Sequence, residues 1–328
     1  MKTNLLLIAA FATLFSKTSL AQEADINLLT NDLLIIADNF ASPAAEGAAF
    51  QSSSGWFTSA QELGKWKIDF SVQGNALFVP SNKKQKLISN SDFSILNVST
   101  GSNALVPTAY GGTTDVQYTG EVNFANTTIP VELDAIDGIN RGALIHPFVQ
   151  LAVGLPYGTD FAVRYLPQMT IDDVEFGTFG AGLKHNLTQY FNKHPHDDDF
   201  QFAVVATYTN FKVNYAFLPI NVEQIVMLNR VNVDANLWLG QVLGSKRYDD
   251  FEVFAGLGLV NSDFSYSMGG EGIGLSLVNV GLKDFGKTQA KFKGDLGFNY
   301  YIGDSFKVST MLTASSFFNA NLGLHYQF

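Results

Sequence analysis

The densest set of potential ligands in the chain is His194-Pro195-His196-Asp197-Asp198-Asp199. Imidazoles suit transition metals and carboxylates suit Ca²⁺, so His194, His196 and Asp198 are weak metal candidates. A rigid Pro separates the two His, and no distant third ligand is identifiable. A solvated polar loop explains the cluster better, so neither a metal nor a cofactor is expected. Gly269-Gly270-Glu271-Gly272-Ile273-Gly274 is glycine-rich but reads as opening a strand with no helix behind it, which suits a loop and not a phosphate cradle. A membrane-embedded lipid hydrolase would bring Ser, His and Asn together at a lipid-facing edge. His185 and Asn186 precede the amphipathic run Leu187-Thr188-Gln189-Tyr190-Phe191, yet no Ser stands in a nucleophile motif. That pair reads as a helical turn at a rim, and the chain as no enzyme.

The charges that alternate with apolar neighbours are the more informative set: Lys67, Asp69, Asp160, Arg164, Lys291, Lys293, Asp295, Lys307 and His325. Side chains on a strand alternate between its faces, so these groups line the inside of any barrel whose other face meets lipid. First and last strands pair to close such a barrel, which brings Lys67 and Asp69 towards His325 and Lys307. Opposed charges across a lumen can orient polar solutes. The blander reading is a set of salt bridges filling a narrow, closed barrel.

The elements that carry these charges are strands. Phe318-Asn319-Ala320-Asn321-Leu322-Gly323-Leu324-His325-Tyr326-Gln327-Phe328 alternates apolar and polar residues, and roughly nine to eleven residues cross a bilayer at a tilt. Trp66, Ile68, Phe70 and Val72 alternate in the same way with Lys67, Asp69, Ser71 and Gln73, after strand signals that begin near Gly55-Trp56-Phe57. Val149 to Leu155, a turn at Pro156-Tyr157-Gly158, and Phe161 to Tyr165 form a short hairpin of the periplasmic kind. Gly303-Asp304 marks another. Residues 81–143 lose the alternation and read as long loops with weak strands near 92–98 and 115–124. A further strand is expected at 272–281. The total is about fourteen strands.

Asp25 to Phe40 is the one good helix candidate, with Asp25 as cap and Leu29, Leu33, Ile36 and Phe40 on one lane, ended by Ser42-Pro43. It fits either a plug in the lumen or a helix docked on the periplasmic side. Ahead of it, Lys2, the run from Leu5 to Ala12 and Ser19-Leu20-Ala21 read as a cleaved signal peptide over residues 1–21. The formal charge is −10, and −12 once Lys2 and Lys17 leave with that peptide, which with the lack of a basic run argues against nucleic acid. Only 15% of residues are charged against 28 Phe and 29 Gly, a balance that suits strands with one face in lipid.

Several segments resemble an uncharacterised family of Bacteroidota outer-membrane proteins: the helix before Ser42-Pro43, Gly55-Trp56-Phe57, Gly154-Leu155-Pro156-Tyr157-Gly158-Thr159, Arg164-Tyr165-Leu166-Pro167, and Gly182-Leu183-Lys184-His185-Asn186 with Leu187 to Tyr190. The resemblance implies a fold and no chemistry. A helix ahead of about fourteen strands is also similar in architecture to long-chain fatty-acid transporters.

The expectation is therefore an all-β, antiparallel transmembrane β-barrel with a short N-terminal helix. Residues 1–21 are the signal peptide, 22–53 the helix and linker, and 54–328 the barrel, with a long loop region at 81–143. Tyr326 and the terminal Phe328 serve as the assembly signal. Expected partners are outer-membrane lipid, the barrel assembly machinery and a small hydrophobic ligand. The expected role is a passive conduit, the alternatives being a structural envelope protein or a lipid enzyme.

Overall fold

The structure is a computed structural model that describes residues 2–124, 127–171, 174–191, 200–222, 225–285 and 288–328, with side chains for these except 2–24, 124, 171, 284 and 285. The chain begins with helix α1 (Lys2–Ser52), which runs through Pro43. An irregular stretch, residues 53–67, leads to β1 (Ile68–Phe78). An insertion follows with β2 (Gln85–Ser89), β3 (Asn97–Val98), β4 (Asn103–Pro107), β5 (Gln117–Phe124) and β6 (Thr127–Asp134). Then come β7 (Ala143–Leu155), β8 (Thr159–Ile171), β9 (Val174–Asn186), the turn α2 (Thr188–Phe191), β10 (Gln201–Val222), β11 (Val226–Tyr248) and β12 (Phe251–Glu271). Helix α3 (Leu275–Phe285), β13 (Gln289–Ile302), β14 (Phe306–Ala314) and β15 (Phe318–Gln327) complete it.

Among the described residues, ten antiparallel strands close into one barrel: β1 pairs with β15 on one side and with β7 on the other. This corrects the count of about fourteen, and the reasons are local. The strands near 92–98 and 115–124 contain β3 and β5, which belong to the small sheet β3-β5-β6 of the insertion, apart from the barrel and from the pair β2-β4. Residues 272–281 turn into α3, because Leu275, Val278 and Leu282 recur at helical spacing; Val278 and Leu282 are buried and Leu275 partly so, where α3 packs on α1 and β12. A short apolar run cannot reveal its period by itself. The Gly269–Gly274 stretch thus does precede a helix, and its glycines let the chain pass close to the carbonyls of Ile225 and Met227.

Tight turns at Tyr157-Gly158, Asp249-Asp250 and Gly303-Asp304 gather at one end of the barrel. At the other, the loop end, β10 to β12 run to 22, 23 and 21 residues and rise beyond their neighbours. The apolar core sits in that extension. Leu29, Leu33, Ile36 and Phe40 of α1 are buried there among Val122, Val131, Val233 and Phe264. Asp25 does not cap α1; its carboxylate accepts from the backbone N–H of Asn123 at 3.1 Å. Asp32, fully buried, accepts three backbone N–H groups, from Ser94, Ile95 and Leu96, at 2.7–2.8 Å. These bonds tie the helix to the insertion. Pro43 does not end the helix, since the chain is enclosed by packing on both sides of it; Ala41 and Ala45 are buried.

In the barrel proper the usual arrangement of a soluble protein is inverted. Leu257 and Phe292 are 76% and 80% exposed on the outer face, whereas Ser71, Asn75, Ser309 and Asn319 are fully buried within. Phe70 faces out and Ser71 in, as their alternation requires.

Candidate functional site

What the inward face surrounds is the chain itself. From the end of α1, residues 53–63 descend the lumen from the loop end to the turn end as irregular backbone, with no strand beside them to satisfy their carbonyls. A buried carbonyl without a donor costs about 1–3 kcal/mol, so the wall must supply donors. It does so residue by residue. Arg164 Nη1 donates to the carbonyls of Ser52 (3.1 Å) and Ser54 (2.8 Å), and Lys293 Nζ to that of Ser53 (2.8 Å). Gln150 donates to Trp56 O at 2.9 Å, and Asn299 to Thr58 O at 2.8 Å. Lys184 donates to the carbonyls of Ser59 and Gln61, and Asn186 to Ala60 O at 2.9 Å.

Arg164 is the centre of this arrangement. Its guanidinium is fully buried, donates also to Gln150 Oε1 (3.0 Å), and lies between the rings of Trp56 (4.1 Å) and Phe148 (3.8 Å). A planar, weakly hydrated cation stacks in this way where an ammonium would not. Trp56 fits against the wall because position 180 is glycine, where a Cβ would lie 2.8 Å from its ring. Gly55 has φ +75 and passes between Asn321 and Gln73, where any side chain would collide with both amides.

Asp160 accepts from Lys184 Nζ at 2.8 Å and from Leu63 N at 3.1 Å. Asp295 accepts from Lys293 Nζ at 3.1 Å and Gln241 at 2.6 Å. Asp69 and His325 meet at 2.8 Å, with Lys307 Nζ 3.9 Å from the same carboxylate. Lys291 stands apart, half-exposed at the loop end, where it contacts Glu46 of α1. Lys67 precedes β1, because Trp66 has φ 64 and turns the chain before the strand begins, and it is exposed at the turn end, where it lines the same polar cavity as Asp69. His194, His196 and Asp198 lie outside the described residues. The His185–Asn186 pair splits across the wall: Asn186 points inward, while His185 contacts Thr159 (2.8 Å) and Tyr190 (2.9 Å) at the turn end. Gln51, Trp56, Lys184, Gln150 and Glu252 escape a reading based on alternating charges. The available signal was an excess of inward cations, which implied an acceptor that no strand carries.

Glu46 holds α1 at the loop end. Its carboxylate accepts from Lys83 (2.6 Å), Lys291 and Ser316 (2.8 Å). Burial pushes its pKa up, but these hydrogen bonds and the Lys291 charge outweigh burial and hold it below the ordinary carboxylate value. Beside it, burial and the Glu46 charge push the Tyr110 hydroxyl well above its usual range, so it stays a neutral donor to Ala44 O at 3.1 Å.

Two cavities flank the lumen segment. Near the loop end, one of about 440 Å³ lies between Ala41, Ala44, Ala45 and Ala48 of α1 and the apolar wall at Phe176 and Phe211, with His146 and Thr178 among its few polar residues. Towards the turn end, one of about 300 Å³ is lined by polar groups, among them Asp69, Asp160, Lys184, Lys307 and His325.

A family model described as a family of unknown function, DUF6588, matches residues 1–328. The chain belongs to that family. No curated protein matches it. Similar solved structures include the outer membrane protease OmpT of Escherichia coli, at 10% identity and a TM-score of 0.31 over 80% of this chain and 96% of that one. The attachment invasion locus protein Ail of Yersinia pestis shares 9% identity, with a TM-score of 0.27 over 81% and 100%. The COG4313 outer membrane channel of Pseudomonas putida F1 also shares 9%, with a TM-score of 0.30 over 82% and 98%. The first and third are outer-membrane proteins, and each of the three is only a distant likeness to this chain.

Proposed function

We propose that this chain is an integral outer-membrane β-barrel that admits small apolar molecules from its loop end and is closed by residues 53–63 of its own lumen. Export behind a cleaved signal at residues 1–21 and insertion by the barrel assembly machinery belong to the same reading. The outward belt supports the location: Leu257, Phe292, Leu296, Leu322 and Leu324 are exposed, and Phe306–Tyr326 and Phe251–Phe298 ring pairs stand near the turn end like an aromatic girdle. The observation that carries the function is the apolar cavity of about 440 Å³, within the usual range for small-molecule sites.

A dye-binding measurement tests it. A small uncharged fluorescent aromatic should bind the refolded protein, and Ala48→Trp, which fills the cavity, should weaken binding at least tenfold with barrel folding unchanged. Equal binding by the variant refutes the assignment. A second reading, a closed structural barrel, draws on the hydrogen bonds that hold the lumen carbonyls between Ser52 and Gln61. It predicts no passage even when that segment is released.

A further inference from the structure

Three adjacent strands bring together a serine, a histidine and an aspartate in the order that hydrolases use. Ser309 Oγ lies 2.9 Å from His325 Nε2, and His325 Nδ1 lies 2.8 Å from Asp69 Oδ1. All three side chains are buried on the lumen face. Gln327 donates to the other oxygen of Asp69 at 2.8 Å and fixes the carboxylate. We propose that Ser309, His325 and Asp69 form a hydrolytic triad for a small polar carboxylic ester, an activity beyond the conduit.

The register explains how the contact forms. Gln73, Gly323 and Ser309 lie in one row across β1, β15 and β14, and Ser71, His325 and Lys307 lie in the next. Gly323 leaves the middle of the first row empty, and the imidazole leans into that space. A Cβ at 323 would stand 2.5 Å from Ser309 Oγ and 2.9 Å from His325 Nε2. With Asp69 accepting at Nδ1–H, the tautomer is set and Nε2 is free to accept the serine proton. Gln73 lies across the gap; its amide nitrogen donates to Ser71 Oγ at 3.0 Å and would have to rotate to face an oxyanion.

Ser309 Oγ would bond to the ester carbonyl carbon as its proton passes to Nε2. The bond to the leaving alcohol then breaks, and that alcohol takes the proton. Water next attacks the acyl carbon, gives a proton to Nε2, and the bond to Oγ breaks as the serine regains its proton. His325, Asp69 and Lys307 line the polar cavity of about 300 Å³, and the fully buried Ser309 borders it through its contact with His325. Its size and polar walls select a small, polar ester over a lipid chain.

The test uses the full chain in detergent micelles, with heat-modifiable migration reporting folding. A fluorophosphonate should label Ser309, identified by peptide mapping, and hydrolysis of p-nitrophenyl acetate should follow. His325→Gln should lower both by about 100-fold or more. Asp69→Asn should do likewise and Asp69→Glu should recover part of the loss, which separates positioning from folding. Because the chain has no cysteine, Ser309→Cys introduces a single thiol. Iodoacetamide should alkylate it at least tenfold faster than the thiol of Thr313→Cys on the same face, and His325→Gln should remove the difference. Labelling that spares Ser309 in folded protein, or alkylation indifferent to His325, overturns the proposal.

Discussion

Replacing Arg164 by Met removes the cation that fastens the lumen segment while leaving the barrel ladder intact. The guanidinium donates to Ser52 O, Ser54 O and Gln150 Oε1, and stacks on Trp56 and Phe148. Hydrogen bonds to a charged group contribute about 1.5–3 kcal/mol each, and carbonyls left unpaired cost about 1–3 kcal/mol each. The desolvation cost of burying the cation is recovered in the variant and offsets much of that sum, so a net loss of about 3 kcal/mol is a fair centre. At about 1.4 kcal/mol per decade, the seating equilibrium of residues 53–63 should shift by about two decades. Hydrogen exchange read by mass spectrometry measures this directly: amides of 53–63 should exchange about a hundredfold faster, while those of β13 to β15 keep their rates. Unchanged exchange at 53–63 in folded protein would refute the role given to Arg164. An equal rise in the strands would show that the variant loosens the wall and not the segment.

Leu322→Arg, on the outer face, should destabilise the barrel by about 2–4 kcal/mol in urea titrations, whereas Leu87→Arg, exposed on the insertion, should change it by less than about 0.5 kcal/mol. Deleting Phe328, whose backbone exchanges both hydrogen bonds with Ile68, should reduce heat-modifiable folded barrel while export continues. Glu46 has a folded pKa below its ordinary value, so its stabilisation is present above the usual carboxylate range and lost as pH falls through the folded value. Proteolysis of residues 81–92 should therefore rise with acid in the native protein and become independent of pH over that window in Glu46→Gln.

The terminal strand was legible because alternation is a local signal: Leu322 and Leu324 face out, and Asn319, Asn321 and His325 are buried. The meeting of Asp69, Lys307 and His325 was legible too, since first and last strands must pair to close a barrel. The helix lane was visible at Leu29, Leu33, Ile36 and Phe40, but its C-terminal end was not, because packing around Ala41 and Ala45 outweighs the proline. Gly55-Trp56-Phe57 resembles the start of a strand only until its surroundings are known. Gln150 satisfies the Trp56 carbonyl, and Lys293 and Arg164 those of Ser53 and Ser54 just before it, residues that sequence separation hides. For the same reason nothing local marks Ser309 as a partner of His325, since the contact depends on the empty place at Gly323.

The claim that the lumen segment closes a conduit is tested most directly by single-channel conductance of the full chain in planar bilayers. The native protein should show a low conductance, and Arg164→Met combined with Lys184→Met should raise it severalfold with folding unchanged. A folded double variant whose residues 53–63 exchange freely, yet which conducts no more than the native protein, would contradict the account and leave a closed structural barrel.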